Sequence, residues 1–286
     1  MKRILLILLC AGLLPAFPAR AGKVVTDSLQ SKVLGAPVKF NVYLPDGYAP
    51  SEKKYPVVYL LHGLSDDYQA WLRNGRMDLV ANELIECGEA CEMVIVMPNA
   101  GGKDTHNVWN GYFNMPGWNY EDFFFGELMP AVEEKYRIIG DKGHRAIMGL
   151  SMGGGGSVVY AQRHPDLFSS CYAMSPWLDN AGDEVWPLDS PKDCLYHVAH
   201  AVRDHSAVDF LEKASPDTLE ELRGIAWFID CGDDDFLLDL SLDFYRKMRA
   251  CGVKSELRVR NGIHNWEYWH LALREALPFA TRNYSH

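Results

Sequence analysis

The chain has 286 residues, 48% of them hydrophobic, and a formal net charge of −10. That length fits one large α/β domain or two small ones, with enough apolar residues for a full core. The acidic balance argues against nucleic acid as a partner and disfavours polyanionic substrates by long-range repulsion, so neutral esters or glycans suit it better.

The first residues read as a leader. Lys2 and Arg3 form a charged start, Ile4 to Phe17 an apolar core, and Ala19-Arg20-Ala21 a small-x-small cleavage pattern. Removal of residues 1–21 takes away Lys2, Arg3 and Arg20 and leaves a mature chain near −13. The expected location is the periplasm or the exterior of a bacterium. No later stretch is long and apolar enough to span a membrane. Six of the seven cysteines remain after the leader. Cys171 and Cys231 border apolar runs and are expected as buried thiols. Cys87 and Cys91 are close enough for a small loop disulfide.

From there, short apolar runs alternate with helical stretches. Val38 to Leu44 alternates in period two and predicts an antiparallel edge strand. Val57 to Leu61, Met93 to Met97, Ala146 to Met148, Cys171 to Met174, Ile225 to Ile229 and Leu257 to Val259 predict strands. All but the last are nearly free of charge, as parallel strands covered on both faces should be. Arg258 places the last run nearer an edge. Phe123 to Tyr136 and Leu240 to Ala250 show helical spacing, with Gly252 as a stop signal. The pattern predicts a mostly parallel sheet with helices on both faces, in a single domain over 22–286. Residues 177–210 show little periodicity and are the candidate for an insertion over the active site.

Gly149-Leu150-Ser151-Met152-Gly153 matches G-x-S-x-G between a strand and a small-residue helix start, the context of a nucleophile elbow. Serine needs a base within reach and an acid to orient that base. His264 follows the last strand across Arg260-Asn261-Gly262 and is the expected base. The acid is expected after the strand ending at Ile229, in Cys231-Gly232-Asp233-Asp234-Asp235, where chemistry alone leaves three carboxylates open and the two unused ones free to cap the next helix. Met152 N–H and Leu64 N–H, the latter in Leu61-His62-Gly63-Leu64, are the expected oxyanion donors. His62 is expected to shape that loop, and His270 to be structural.

These motifs together resemble the esterase D / feruloyl esterase family of α/β-hydrolases, over about residues 35–280. The carriers are Leu61-His62-Gly63-Leu64, Gly149 to Gly154, Cys231-Gly232 with Asp235, Gly262-x-His264, Asp66 to Trp71 and the helix Glu121 to Tyr136. That family also includes tributyrin-type esterases, S-formylglutathione hydrolases and antigen 85 mycolyltransferases. The resemblance implies an α/β-hydrolase fold and a Ser151–His264–Asp235 triad, with Asp234 the next choice of acid. It supports Leu64 and Met152 as oxyanion donors. Gly155-Gly156 departs from relatives that carry bulkier residues there.

Trp71, Trp109, Trp118, Trp177 and Trp266 fall in or beside expected loops, and Trp71, Trp177 and Trp266 are the expected pocket walls. A secreted esterase with aromatic walls suggests removal of acetyl or feruloyl groups from glycans. A general short-chain carboxylesterase and an acyltransferase to a sugar acceptor are the alternatives. No cofactor is implied. H-E-x-x-H is absent, and His197, His200 and His205 near Asp204 lack diagnostic metal spacing.

Overall fold

The computed structural model describes residues 21–101, 111–180 and 194–285. The expected leader and Trp109 therefore lie outside the described residues, apart from Ala21. The strands are β1 (Lys23–Gln30), β2 (Pro37–Leu44), β3 (Val57–Leu61), β4 (Val94–Pro98), the short β5 (Asn114–Met115) and β6 (Trp118–Asn119), β7 (Arg145–Leu150), β8 (Ser170–Met174), β9 (Ala226–Gly232) and β10 (Ser255–Arg260). The α-helices are α1 (Ala70–Arg73), α2 (Met77–Glu86), α3 (Tyr120–Phe123), α4 (Met129–Lys135), α5 (Met152–Arg163), α6 (Cys194–Asp204), α7 (Ala207–Lys213), α8 (Pro216–Arg223), α9 (Leu238–Ala250) and α10 (Trp266–Arg282).

Eight strands form one sheet in the order β1-β2-β4-β3-β7-β8-β9-β10, and β5 pairs with β6 separately. From β4 to β10 every pairing is parallel, while β2 runs antiparallel to both β4 and β1. This is the α/β-hydrolase architecture. Alternate side chains of a strand leave opposite faces, and the core divides accordingly. Val57, Tyr59 and Leu61 join one apolar layer; Val58 and Leu60 join the other, beneath α2 and α10. Burial on both faces is why these strands read as unbroken apolar runs.

Three expectations change. The antiparallel Val38–Leu44 strand is not the edge, because β1 pairs along its whole length outside it. Cys87 and Cys91 are free thiols. The Cys87 Sγ turns to the Leu84 carbonyl at the end of α2, whereas Cys91 faces Thr281 on α10, so the two sulfurs are committed to different neighbours. Cys171 and Cys231 are buried thiols. Finally, the described part of 177–210 is not irregular. It contains α6 and the start of α7, whose Val198, Ala199, Val202, Ala207 and Val208 join the core.

Among the described residues no group of three or more His, Cys, Asp or Glu converges as a metal site. His205 instead stacks on Phe113, ring centroids 4.2 Å apart, and meets the Ala201 carbonyl through Nδ1. His200 packs against Tyr196 at 4.1 Å. Among the described residues no helix is long and apolar enough to cross a membrane.

Candidate active site

Four parallel strands deliver the site to one edge of the sheet. β3 ends at Leu61 before Gly63-Leu64, β7 ends at Leu150 before Ser151, β9 leads to Asp235 and β10 to His264. All four departures are from strand C-termini, the edge at which α/β sheets place their ligands.

Ser151 sits at φ 52°, ψ −117°, between β7 and α5. Such a backbone costs a side-chain-bearing residue on the order of 1–3 kcal/mol and persists only when its neighbours fix it. Here Ser151 N–H donates to the Met174 carbonyl at 2.8 Å, and Ser151 C=O accepts from Gly155 and Trp177 N–H, both at 3.0 Å. The turn also requires bare backbone beside it. A Cβ at Gly149 would lie 2.5 Å from the Gly153 carbonyl oxygen, and one at Gly153 would lie 2.4 Å from that of His62.

The Ser151 hydroxyl lies 2.9 Å from His264 Nε2, in position to donate to it. His264 Nδ1 lies 3.0 and 2.9 Å from the two oxygens of Asp235. The sequence left three aspartates open, and the structure brings one of them to the imidazole. Asp233 accepts from Gly262 N–H at 2.9 Å, so it ties the two loops together. It does not cap α9, whose N-cap is Leu237 with no side-chain hydrogen bond. Asp235 is only 5% exposed. Burial works against its charge, but hydrogen bonds from His264 and from Leu237 N–H, with Ser175 as a further partner, more than offset that and hold the carboxyl below its ordinary range.

Leu64 and Met152 each adjoin Ser151, Leu64 through the Gly63 backbone and Met152 as the next residue. A Cβ on Gly63 would stand 3.7 Å from Ser151 Cβ, so the Gly63-Leu64 backbone lies against the serine. Met152 opens α5, where first-turn N–H groups lack intrahelical partners. Among the described residues neither the Leu64 nor the Met152 amide donates to a backbone carbonyl. His62 shapes this loop. Its Nε2 accepts from Ala100 N–H at 3.0 Å, so the proton is on Nδ1, which donates to the Gly63 carbonyl at 2.8 Å. Burial pushes its pKa down to about 4 and keeps it neutral.

The cleft above Ser151 has a volume of about 370 Å³ and is lined by Gly63, Leu64, Ser65, Asp66, Leu150, Ser151, Trp177, Phe236, Leu237, His264, Trp266 and Trp269. Trp177 and Trp266 are thus in the wall. Trp71 is not. It is 1% exposed, donates its indole N–H to the Leu61 carbonyl at 3.1 Å and packs edge-on against Trp266 at 5.2 Å. It backs the wall from the core, because α1 turns this face inward. Of the described residues in 177–210, only Trp177 lines the cleft.

Three cleft residues escaped the sequence reading. Trp269 donates to Ser175 Oγ at 3.1 Å and meets His264 edge-on at 4.8 Å. Its signal was its place three residues after Trp266, on the same face of a helix. Phe236 also packs against His264, ring centroids 4.5 Å apart, and only adjacency to Asp235 pointed to it. Asp66 is pushed up to about 6, by burial first and by the Asp67 charge next; it opens the Asp66 to Trp71 segment that carries the resemblance, but that segment gives it no role in the cleft.

The chain matches the Esterase family model, described as "Putative esterase", over residues 31–280. The chain belongs to that family. A solved ferulic acid esterase is 50% identical and superposes with a TM-score of 0.89, covering 93% of this chain and 99% of its own. The endo-1,4-beta-xylanase/feruloyl esterase of Xylanibacter ruminicola is 24% identical over 259 residues, which are 89% of this chain but 31% of that larger protein. This chain spans about a third of the length of the first curated relatives it matches. The diacylglycerol acyltransferase/mycolyltransferase Ag85B of Mycobacterium leprae is 25% identical, with 94% of this chain and 90% of that one covered.

Proposed function

We propose that the chain is an exported esterase that removes hydroxycinnamoyl groups, feruloyl above all, or acetyl groups from glycans, through an acyl-enzyme on Ser151. The observation that carries this is the unbroken chain Ser151 Oγ to His264 Nε2 to Asp235, at 2.9 and 2.9–3.0 Å, opening into an aromatic cleft. The 50% identity to a ferulic acid esterase supports the acyl group, and the acidic chain with its basic–apolar leader pattern supports export and a neutral substrate.

His264 takes the Ser151 proton as Oγ attacks the ester carbonyl, and Asp235 holds the imidazole in the tautomer that frees Nε2 and stabilises its cation. The oxyanion forms between Leu64 and Met152 N–H. The intermediate collapses as the C–O bond to the alcohol breaks and His264 returns the proton to the alcohol oxygen. Water repeats the sequence on the acyl-enzyme. The flat faces of Trp177 and Trp266 suit a phenolic ring.

Purified enzyme assayed on methyl ferulate, acetylated xylan and short nitrophenyl esters tests the reading. Hydrolysis of ferulate and glycan esters at rates above those of butyrate esters is expected. Ser151→Ala should lower kcat by about 10⁶-fold and abolish fluorophosphonate labelling. A preference for butyrate esters, with ferulate and acetylated xylan untouched, would assign the chain to short-chain carboxylesterases instead.

A further inference from the structure

We propose that Phe236 is the platform for the leaving alcohol, and that the alcohol it selects is a sugar ring. This rests on the esterase reading above and adds a specificity-determining residue to it.

When the tetrahedral intermediate collapses, His264 Nε2–H gives its proton to the alcohol oxygen while the electron pair of the breaking C–O bond stays on that oxygen. The oxygen must therefore come within hydrogen-bond reach of Nε2. The alcohol lies beside the His264 ring, and the acyl group, bonded to the same carbon, leaves in another direction.

Two aromatic rings flank His264. Trp269 meets it edge-on at 4.8 Å from the core side and is itself buried. Phe236 meets it at 4.5 Å with the planes tilted by 47°, and Phe236 is 59% exposed. It lines the cleft together with Ser151 and His264. An aromatic ring held beside a reacting histidine, with more than half its surface open to solvent, is where a departing group passes.

The ring is also held in place. Asp235, directly before it, is fixed by His264 and by Leu237 N–H at 2.9 Å, and Leu238 N–H donates to the Asp235 carbonyl at 3.0 Å. The loop is tied to the histidine loop by Asp234 N–H to the Gly262 carbonyl at 3.1 Å and by Asp233 to Gly262 N–H. Ile263, next to His264, adds a second exposed apolar side chain. A rigid, exposed, π-faced group suits a sugar ring, which presents an apolar C–H face to stack while its hydroxyls stay in water. Methanol or another small alcohol is too short to cover it. Because the platform opens outward, the sugar can continue into a chain.

The test compares methyl and arabinosyl esters, each made with the feruloyl and with the acetyl group, on wild type, F236A, F236L and F236W. The quantity read is the ratio of kcat/KM for the arabinosyl ester to that for the methyl ester of the same acid. Covering roughly 50–60 Å² of apolar surface is worth about tenfold in affinity. F236A and F236L should each lower the ratio by about tenfold, mainly through KM of the arabinosyl ester, and F236W should restore it. F236L keeps an apolar contact on His264, so a role only in holding the histidine predicts that F236L behaves as wild type and that F236A loses equally on both alcohols; either result overturns the platform. A change in feruloyl-over-acetyl preference at constant alcohol would place Phe236 on the acyl side and also overturn it. Turnover of neither acyl series by wild type would refute the esterase reading and the platform together. Turnover with an unchanged ratio refutes the platform alone.

Discussion

Asp235→Asn is the most demanding test of the hydrogen-bonded chain, because the structure dictates how the asparagine must sit. Asp235 Oδ1 accepts from Leu237 N–H at 2.9 Å as well as facing His264 Nδ1 at 3.0 Å; Oδ2 faces Nδ1 at 2.9 Å. An asparagine placed with its NH₂ at Oδ1 would set donor against donor at the Leu237 amide. It therefore keeps its oxygen there and turns the NH₂ onto Nδ1. The imidazole answers by moving its proton to Nε2, where it faces the Ser151 hydroxyl and cannot accept a proton. The expected loss is about 10⁴-fold in kcat, or roughly 5–6 kcal/mol of transition-state stabilisation. Steady-state kinetics on a nitrophenyl ester would measure it, with Asp233→Asn and Asp234→Asn as comparisons expected to stay within about tenfold of wild type. Asp235→Asn retaining a tenth of wild-type kcat, or Asp234→Asn losing as much, would refute the argument. A stability signature goes with it. The Asp235 carboxyl is held below its ordinary value, so its contribution is present above pH 3.8 and is lost as pH falls through the lowered value. Asp235→Asn should flatten that acid limb.

Asp66 has the opposite sign. Its pKa is raised from 3.8 to about 6, so the folded state holds the proton more tightly and stability falls as pH rises between those values. Asp66→Asn should therefore gain about 1–2 kcal/mol in urea unfolding near pH 8 and nothing near pH 3, after allowance for its partial exposure; equal gains at both would show that burial of the charge is not the cause. His62, lowered from 6.5 to about 4, makes stability rise with pH over nearly the same window, by about 3 kcal/mol in total. The two slopes oppose one another in the native chain, and Asp66→Asn should expose the His62 slope as a steeper loss on acidification from neutral pH. Trp71→Phe removes the indole bond to the Leu61 carbonyl and should cost about 1–3 kcal/mol by urea unfolding. Altered ester preference at unchanged stability would instead return Trp71 to the cleft wall.

The central strands were legible because burial on both faces leaves a run such as Val57-Val58-Tyr59-Leu60-Leu61 with no polar interruption. The edge was not. β1 reads Lys-Val-Val-Thr-Asp-Ser-Leu-Gln, and its half-exposed pattern is too weak to stand out so close to the apolar run Ile4 to Phe17. Helix α6 was hidden for another reason. The apolar residues that α6 buries are small or β-branched, Val198, Ala199, Ala201 and Val202, with His197 before them and His200 among them, so its apolar stripe is short and interrupted. His200 and His205, whose spacing was not diagnostic of a metal, pack their rings on Tyr196 and Phe113.

Ser151, His264 and the Gly63-Leu64 loop could be found because each sits at a fixed offset from a strand end, and strand ends were visible. The choice among Asp233, Asp234 and Asp235 could not be made that way, since it depends on how β9 and β10 are registered. Arg260 pairs with Gly232, and the pairing continues past both strands as Asp233 N–H to the Arg260 carbonyl and Asp234 N–H to the Gly262 carbonyl. Those two residues are thereby spent on extending the ladder, and Asp233 also captures Gly262 N–H. The chain first turns away at Asp235, whose N–H returns to the Gly232 carbonyl at 3.3 Å, and its side chain is the one delivered to the loop that carries His264. The same turn leaves Phe236 exposed and against the imidazole. One register thus selects the acid and sets the ring beside the histidine, which is why neither could be read from spacing along a single strand.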